Sequence, residues 1–367
     1  MAGKEAKRAY LVLADGTVFH GYSMGAEGET IGEVVFNTCT ASYQSLLSDP
    51  TYYGQIVAQT YPLVGNRGVE ENSSSSNIMA NGYIVREWCD TLSLSGDGMT
   101  LDEYLRKRNI VGICGIDTRR LTRALRDKGY FNGAITNSIE DFDALLKRIR
   151  AYTISGAVEA VTIREPEHIP AERPLYRVTV LDCGFPRYVL DALTRRSCDL
   201  TLVPAFTSVQ EILAGEPDGI LFSDGPGDPD DAPALIDCAK ELMQAKIPLF
   251  GIGLGHQIMA LAAGGAVVKM PKGHRGSNQP VRVLETGRIM VTNQNHGYSV
   301  AAQSIPKEAA TITMVNVNDG AVEGLSYCGS PAFSVEFTPS DGIGRQDTAW
   351  IYDAFIDRMN GGCRNEA

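Results

Sequence analysis

The sequence predicts an α/β protein: an N-terminal mixed α/β domain followed by a C-terminal domain built on a largely parallel sheet with helices on both faces. Three observations predict it. A length of 367 residues suits two domains, each able to bury its own core. The 38 glycines favour tight turns and backbone-lined loops over a helical bundle. From Arg177 onward, short apolar runs alternate with helical patterns, which is the grammar of repeated strand–helix–strand units.

The first half opens with two β-type runs, Ala9 to Ala14 and Thr17 to Gly21, around Asp15-Gly16, a local hairpin signal. A strand over Gly32 to Asn37 follows, then helical patterns over Leu101 to Lys107 and Thr118 to Asp127. This domain is expected over 1–150. Residues 151–175 read as a linker, because Arg164 to Pro170 is polar and broken by Pro166 and Pro170, with Pro174 soon after. The second domain is expected over 176–362. Its strands fall at Arg177 to Asp182, Leu200 to Pro204, Gly219 to Ser223 and Pro248 to Ile252. Its helices fall at Val189 to Arg196, Ser208 to Ala214, Ile236 to Gln244 and His256 to Ala263.

Composition narrows the function classes. A net charge of -11 with no long Lys/Arg block argues against a nucleic-acid partner. Eight cysteines stand singly, several inside apolar runs, with no Cys-x-x-Cys spacing; they read as reduced thiols and point to the cytoplasm. The N-terminal segment lacks the pattern of a signal peptide or a membrane span, so no membrane association is expected. Five scattered histidines without His-x-x-x-His spacing lead to the expectation of no metal.

Ligands of a parallel α/β sheet bind beyond the carboxyl ends of its strands, which directs attention to the loops after Ser223 and Ile252. The first is Ser223-Asp224-Gly225-Pro226-Gly227-Asp228-Pro229. Its glycines allow a turn whose amides cradle an oxyanion, or a plain β-turn. The second is Gly251-Ile252-Gly253-Leu254-Gly255-His256-Gln257. A strand turning sharply into a helix resembles a nucleophile elbow, yet Gly253 stands where Ser or Cys would be. The third position in a dinucleotide fingerprint is His256, so that motif fails. His256 reads as a structural residue or a pocket residue, and Gln257 likewise. Asn293-Gln294-Asn295-His296-Gly297-Tyr298 reads as a third polar loop, which either binds a zwitterion or satisfies its own backbone.

Taken together, these segments resemble the small, glutamine-hydrolysing subunit of carbamoyl phosphate synthetase over nearly the entire chain. In the first half the resemblance rests on Gly32 to Thr38, Tyr43-Gln44, Asp49 to Tyr52, Gln55 to Val57, Tyr61 to Asn66 and Ile116 to Thr122. In the second half, Ser223 to Pro229, Gly251 to Gln257, Gly273 to Gly276 and Asn293 to Tyr298 look like a class I glutamine amidotransferase domain. The resemblance implies L-glutamine binding at Thr51, Gly225, Gly227, Leu254, Gln257, Asn295, Gly297 and Tyr298. It also implies a glutamyl thioester on a cysteine, and ammonia passed to a large-subunit partner where ATP and magnesium act; no cofactor is expected in this chain.

The family's catalytic positions depart from that pattern. Its cysteine falls on Gly253, and its His-Pro-Glu falls on Thr338-Pro339-Ser340. Threonine is no base near neutrality, and Ser340 carries no charge to orient an imidazolium. Glu336 shares a strand face with Thr338 and reads as a structural residue or a weak base. Cys183 and Cys328 occupy no elbow. The run Gly342 to Arg345 also departs from the family, and Gln279 replaces a common histidine. Three readings remain: a glutaminase-deficient structural or regulatory partner of an ammonia-using large subunit, a standalone glutamine or amino-acid sensor, and a residual amidotransferase supplying ammonia.

Overall fold

The computed structural model describes residues 7–38, 43–69, 78–92, 98–129, 131–340 and 347–361. Cys39, Cys363 and the run 342–345 lie outside them. The chain divides into two compact units, Met1–Ile154 and Ser155–Ala367.

The first unit is built from β1 (Arg8–Leu13), β2 (Val18–Gly25), β3 (Thr30–Asn37), β4 (Gln55–Gln59), β5 (Leu63–Val64), β6 (Gly82–Ile84), β7 (Glu87–Trp88), β8 (Val111–Cys114) and β9 (Phe131–Thr136). The Asp15-Gly16 turn forms as expected: Thr17 N donates to Asp15 Oδ1 at 2.9 Å, and β1 pairs with β2 antiparallel. The strands close into a barrel in the order β1-β2-β8-β6-β4-β3-β9, with β5 and β7 paired separately. Leu11, Phe19, Val34, Ile56, Ile84, Ile113 and Ile135 come from every strand of the barrel and pack into one apolar cluster. Helices α1 (Tyr43–Leu47), α2 (Leu101–Lys107), α3 (Thr118–Lys128) and α4 (Phe142–Ala151) surround it. A Thr100/Glu103 capping box starts α2 and the Asp117 carboxylate caps α3, satisfying amides the helices leave open.

The second unit begins with α5 (Ala157–Val161) and β10 (Glu167–Ile169), so the proline-broken stretch contains a strand, paired antiparallel with β12. Then β11 (Tyr176–Asp182), α6 (Tyr188–Thr194), β12 (Cys198–Pro204), α7 (Val209–Ala214), β13 (Gly219–Phe222), α8 (Pro233–Gln244), β14 (Leu249–Ile252) and α9 (Leu254–Ala262) alternate. The chain continues through β15 (Val267–Val283), β16 (Ile289–Val300), β17 (Ala310–Asn316), β18 (Val322–Tyr327), β19 (Phe333–Val335) and α10 (Trp350–Met359). They form a ten-stranded sheet in the order β10-β12-β11-β13-β14-β19-β18-β17-β15-β16.

The central pairs β12/β11, β11/β13, β13/β14 and β14/β19 are parallel, and β18, β17, β15 and β16 extend the sheet antiparallel. Alternate residues separate the two faces. Leu181, Ile220, Phe222 and Leu249 pack with α7, α8 and α9, whereas Val178, Val180, Leu221 and Phe250 pack with α6 and α10. At the far edge, β16 pairs with β15 and, through one isolated bridge, Asn293 meets Thr338. Asn293 to Tyr298, expected as a loop, is therefore part of strand β16; its register sets His296 opposite His274 and Asn295 opposite Arg275.

Candidate functional site

The carboxyl ends of β11, β13, β14 and β19 place Cys183, the Ser223–Pro229 loop, Gly253 and Thr338 on the same edge of the sheet. Hydrogen bonds lock these ends together. The Cys183 amide donates to Ser223 Oγ at 2.8 Å, the Gly255 amide to Ser223 O at 3.2 Å, and the Gly253 amide to Val335 O at 2.9 Å. Gly255 lets α9 start this close to β13, since a Cβ there would lie 2.4 Å from Phe222 O.

Gly253 is the elbow itself. Its φ of 52° and ψ of -112° lie in a region that side chains avoid, and its carbonyl accepts the first helical bond of α9, from the Gln257 amide at 3.1 Å. The sharp strand-to-helix turn expected from the sequence is present, without a side chain at its apex.

Asp224 lies against that apex. Its Oδ1 accepts from the Gly225 amide at 2.8 Å and the Leu254 amide at 3.2 Å, and its Oδ2 accepts from the Thr338 hydroxyl at 2.9 Å. Burial pushes the Asp224 carboxyl up from its ordinary value, against the pull of these three donors. The residue was visible in the sequence only as part of a loop. Its link to Thr338 spans 114 positions, which no local pattern reports.

Behind the elbow runs a buried polar layer. His256 Nδ1 is 2.7 Å from Ser334 Oγ, and its Nε2 is 3.6 Å from Glu336 Oε2. Burial lowers the His256 pKa to about 3, so the imidazole is neutral. Gln257 is turned into this layer: its Nε2 donates to Glu336 Oε1 at 2.7 Å and to Tyr298 O at 3.3 Å. Burial pushes the Glu336 carboxyl well above the usual carboxylate range, with the nearby Glu323 carboxylate acting in the same direction. For either reading of Glu336, structural residue or weak base, burial disfavours the ionised form that a base needs. Cys183 is fully buried and burial pushes its thiol up, while Cys328 lies exposed with its Sγ 4.0 Å from Lys307 O, far along the chain from the elbow.

The remaining expected positions are distributed as follows. Gly225, Gly227 and Leu254 belong to the two loops at the strand ends, with Gly227 at φ 95°. Asn295, Gly297 and Tyr298 lie on β16, and Lys269 Nζ sits 5.7 Å from the Tyr298 ring centre. Ser340 is joined through its backbone to Thr348 Oγ1, which the Ser340 amide reaches at 2.8 Å. Thr51 belongs to the first unit, in the short turn Pro50–Tyr52, where its amide and hydroxyl both donate to Asp49 Oδ1.

Histidines that are scattered in sequence do meet in space. His274, His296 and Glu323 bring one ligand atom each within 4.8 Å of one another, a grouping that the β15/β16 register creates and that sequence spacing hides. Each member already has protein partners. His274 Nε2 lies 2.9 Å from Asp319 Oδ2, His296 Nδ1 lies 2.7 Å from Tyr298 O, and Glu323 accepts from Gln294 at 2.7 Å and Asn316 at 3.1 Å. The Glu323 and Asp319 carboxylates raise the His274 pKa against its burial, whereas burial and neighbouring His274 lower that of His296. Among these residues the structure shows an ion-paired, hydrogen-bonded network.

A glycine-rich loop, an elbow opening a helix and a third strand end stand together on the carboxyl edge of the parallel sheet, and the class of domain to which they belong is a class I glutamine amidotransferase. Residues 179–358 match the family model Glutamine amidotransferase class-I. Residues 11–135 match the model Carbamoyl-phosphate synthase small chain, CPSase domain. The chain is 41% identical to the carbamoyl phosphate synthase small chain of Polynucleobacter asymbioticus, covering 96% of both chains. It is 43% identical to that of Bacillus cereus over 94% of both, and 42% identical to that of Syntrophotalea carbinolica over 96% of this chain and 98% of that one. Among solved structures, a glutamine amidotransferase of Thermotoga maritima superposes with a TM-score of 0.38 at 18% identity, covering 50% of this chain and 84% of that one. The chain belongs to the carbamoyl phosphate synthase small chain family.

Proposed function

We propose that this protein is a glutaminase-deficient small subunit that acts as a structural or regulatory partner of a large, ammonia-using synthetase subunit. The observation that carries this reading is the elbow at Gly253, which has the backbone of a nucleophile turn and no atom able to attack a carboxamide. Thr338, at the position of the family's base, supports it, since a threonine hydroxyl neither accepts a proton near neutrality nor activates a water as an imidazole does. The barrel unit matched to the small-chain model supports the docking half of the reading, because an interface survives loss of the chemistry it once served. In this reading ATP and magnesium act on the large subunit, and L-glutamine is not consumed by this chain.

The test is to mix the purified chain with the large subunit of its own organism, at micromolar concentrations of both, and to follow size-exclusion elution and carbamoyl phosphate formation. Co-elution is expected, with synthesis driven by ammonium chloride and not by glutamine. Separate elution would remove the docking role, and glutamine-driven synthesis would remove the claim that hydrolysis is lost.

A further inference from the structure

The geometry points to Asp224 as an internal ligand of the elbow: its carboxylate occupies the place of the absent nucleophile side chain, takes the amides that would bind an oxyanion, and thereby closes the site to carboxamide substrates. The amides of Gly225 and Leu254 converge on a single oxygen, Asp224 Oδ1, at 2.8 and 3.2 Å. Paired amides at a loop and a helix start are the donor arrangement that stabilises developing negative charge on a substrate oxygen. Here a carboxyl oxygen of the protein itself fills them.

The second oxygen reaches across to Thr338, so one carboxylate bridges the two positions where the family places nucleophile and base. Its location depends on Gly253. A Cβ at that residue would lie 2.0 Å from Asp224 Oδ1 and 2.3 Å from its Cγ, so a side chain at 253 and the present position of Asp224 exclude each other. A local turn explains the bond to Gly225, the next residue. It does not explain those to Leu254 and Thr338, which lie 30 and 114 positions away. The same exclusion acts on a ligand: any carboxamide oxygen that sought the two amides would first have to displace Oδ1. Asp224 is thus a specificity-determining residue, and removing its side chain leaves a cradle for a small carboxylate. This inference concerns the second unit alone and is independent of any partner chain.

Chemical rescue tests it on the full-length chain. Asp224→Gly uncovers the two amides and the Thr338 hydroxyl, so its thermal midpoint should fall below that of the wild type. Formate, against chloride at equal ionic strength, should raise that midpoint in a saturable way, by about 2–4 °C, while leaving the wild type and Asp224→Asn unmoved. An equal response in all three proteins, or none in Asp224→Gly, overturns the proposal. So does an Asp224→Gly chain that fails to fold with or without formate, since Asp224 would then be part of the framework rather than its occupant. Gly253→Ala probes the contact from the other side: its added methyl should lower the midpoint more in the wild type than in the Asp224→Gly background, and equal losses in both overturn the assignment.

Discussion

Gly253 combines two constraints that are normally separate. Its backbone conformation disfavours side chains, and the space a Cβ would enter is held by Asp224. Restoring a thiol by Gly253→Cys is therefore expected to leave ammonia release from glutamine at the uncatalysed rate, measured by a coupled dehydrogenase assay. Unfolding in urea should show a cost of about 2–4 kcal/mol, from backbone strain together with the close contact. Release well above background in the single variant would refute this. Glu336 offers a prediction with a definite sign. Its pKa is raised in the folded chain, so its contribution to stability is fully present below the unfolded carboxylate value and is lost as pH rises through the folded one. Glu336→Gln keeps an oxygen for Gln257 and does not titrate. Its stability relative to wild type should accordingly grow as pH rises above the unfolded carboxylate value. A difference that shrinks with pH would reverse the assignment. Residue identity made the bare apex at Gly253 legible in the sequence, whereas the contacts of Asp224 with Leu254 and Thr338 were not, because only the folded sheet creates them.

Among the elements, the alternation from β11 to α9 was readable to within two or three residues at each end, because each strand is a short apolar run and turn residues separate the strands from the helices. Ser208 at the start of α7 is an instance: its hydroxyl accepts from the Glu211 amide, and Glu211 reaches back to Ser208. Two segments defeated that grammar. Asn293 to Tyr298 has the amide-rich composition of a loop, yet Gln294 and His296 find partners in Glu323, Tyr298 and each other, which leaves the backbone to pair with β15. The proline-broken stretch hides β10, whose pairing with β12 lies more than thirty residues away in sequence. Strand β14 is the element on which the elbow rests. Phe250 stacks on Phe333 at 4.5 Å between ring centres and contacts Tyr352 and Phe355 of α10. Phe250→Ala should cost about 3–5 kcal/mol in denaturant unfolding. A loss below about 1 kcal/mol would show that β14 is not anchored through this ring.

At the scale of the whole molecule, family membership was legible because its motifs are spread over both halves, while the pairing of two histidines with Glu323 was not, because the β15/β16 register alone makes it. No helix among the described residues is long and apolar enough to cross a membrane. The two units also treat their sheet margins differently. The first closes its barrel and so has no open strand edge there, but the second ends on β16, a twelve-residue strand with Ile289 and Val291 about half exposed. An open margin of this kind is a template on which another copy can lay down hydrogen bonds. Prepared alone and concentrated, the protein should scatter light increasingly with time, and Val291→Lys, which sets a charge on that margin, should slow the process without shifting the unfolding midpoint. Clear solutions of both proteins at matched concentration would show the margin to be harmless. Storage behaviour, a practical property remote from any reaction, is in this way written into the last strand of the sheet.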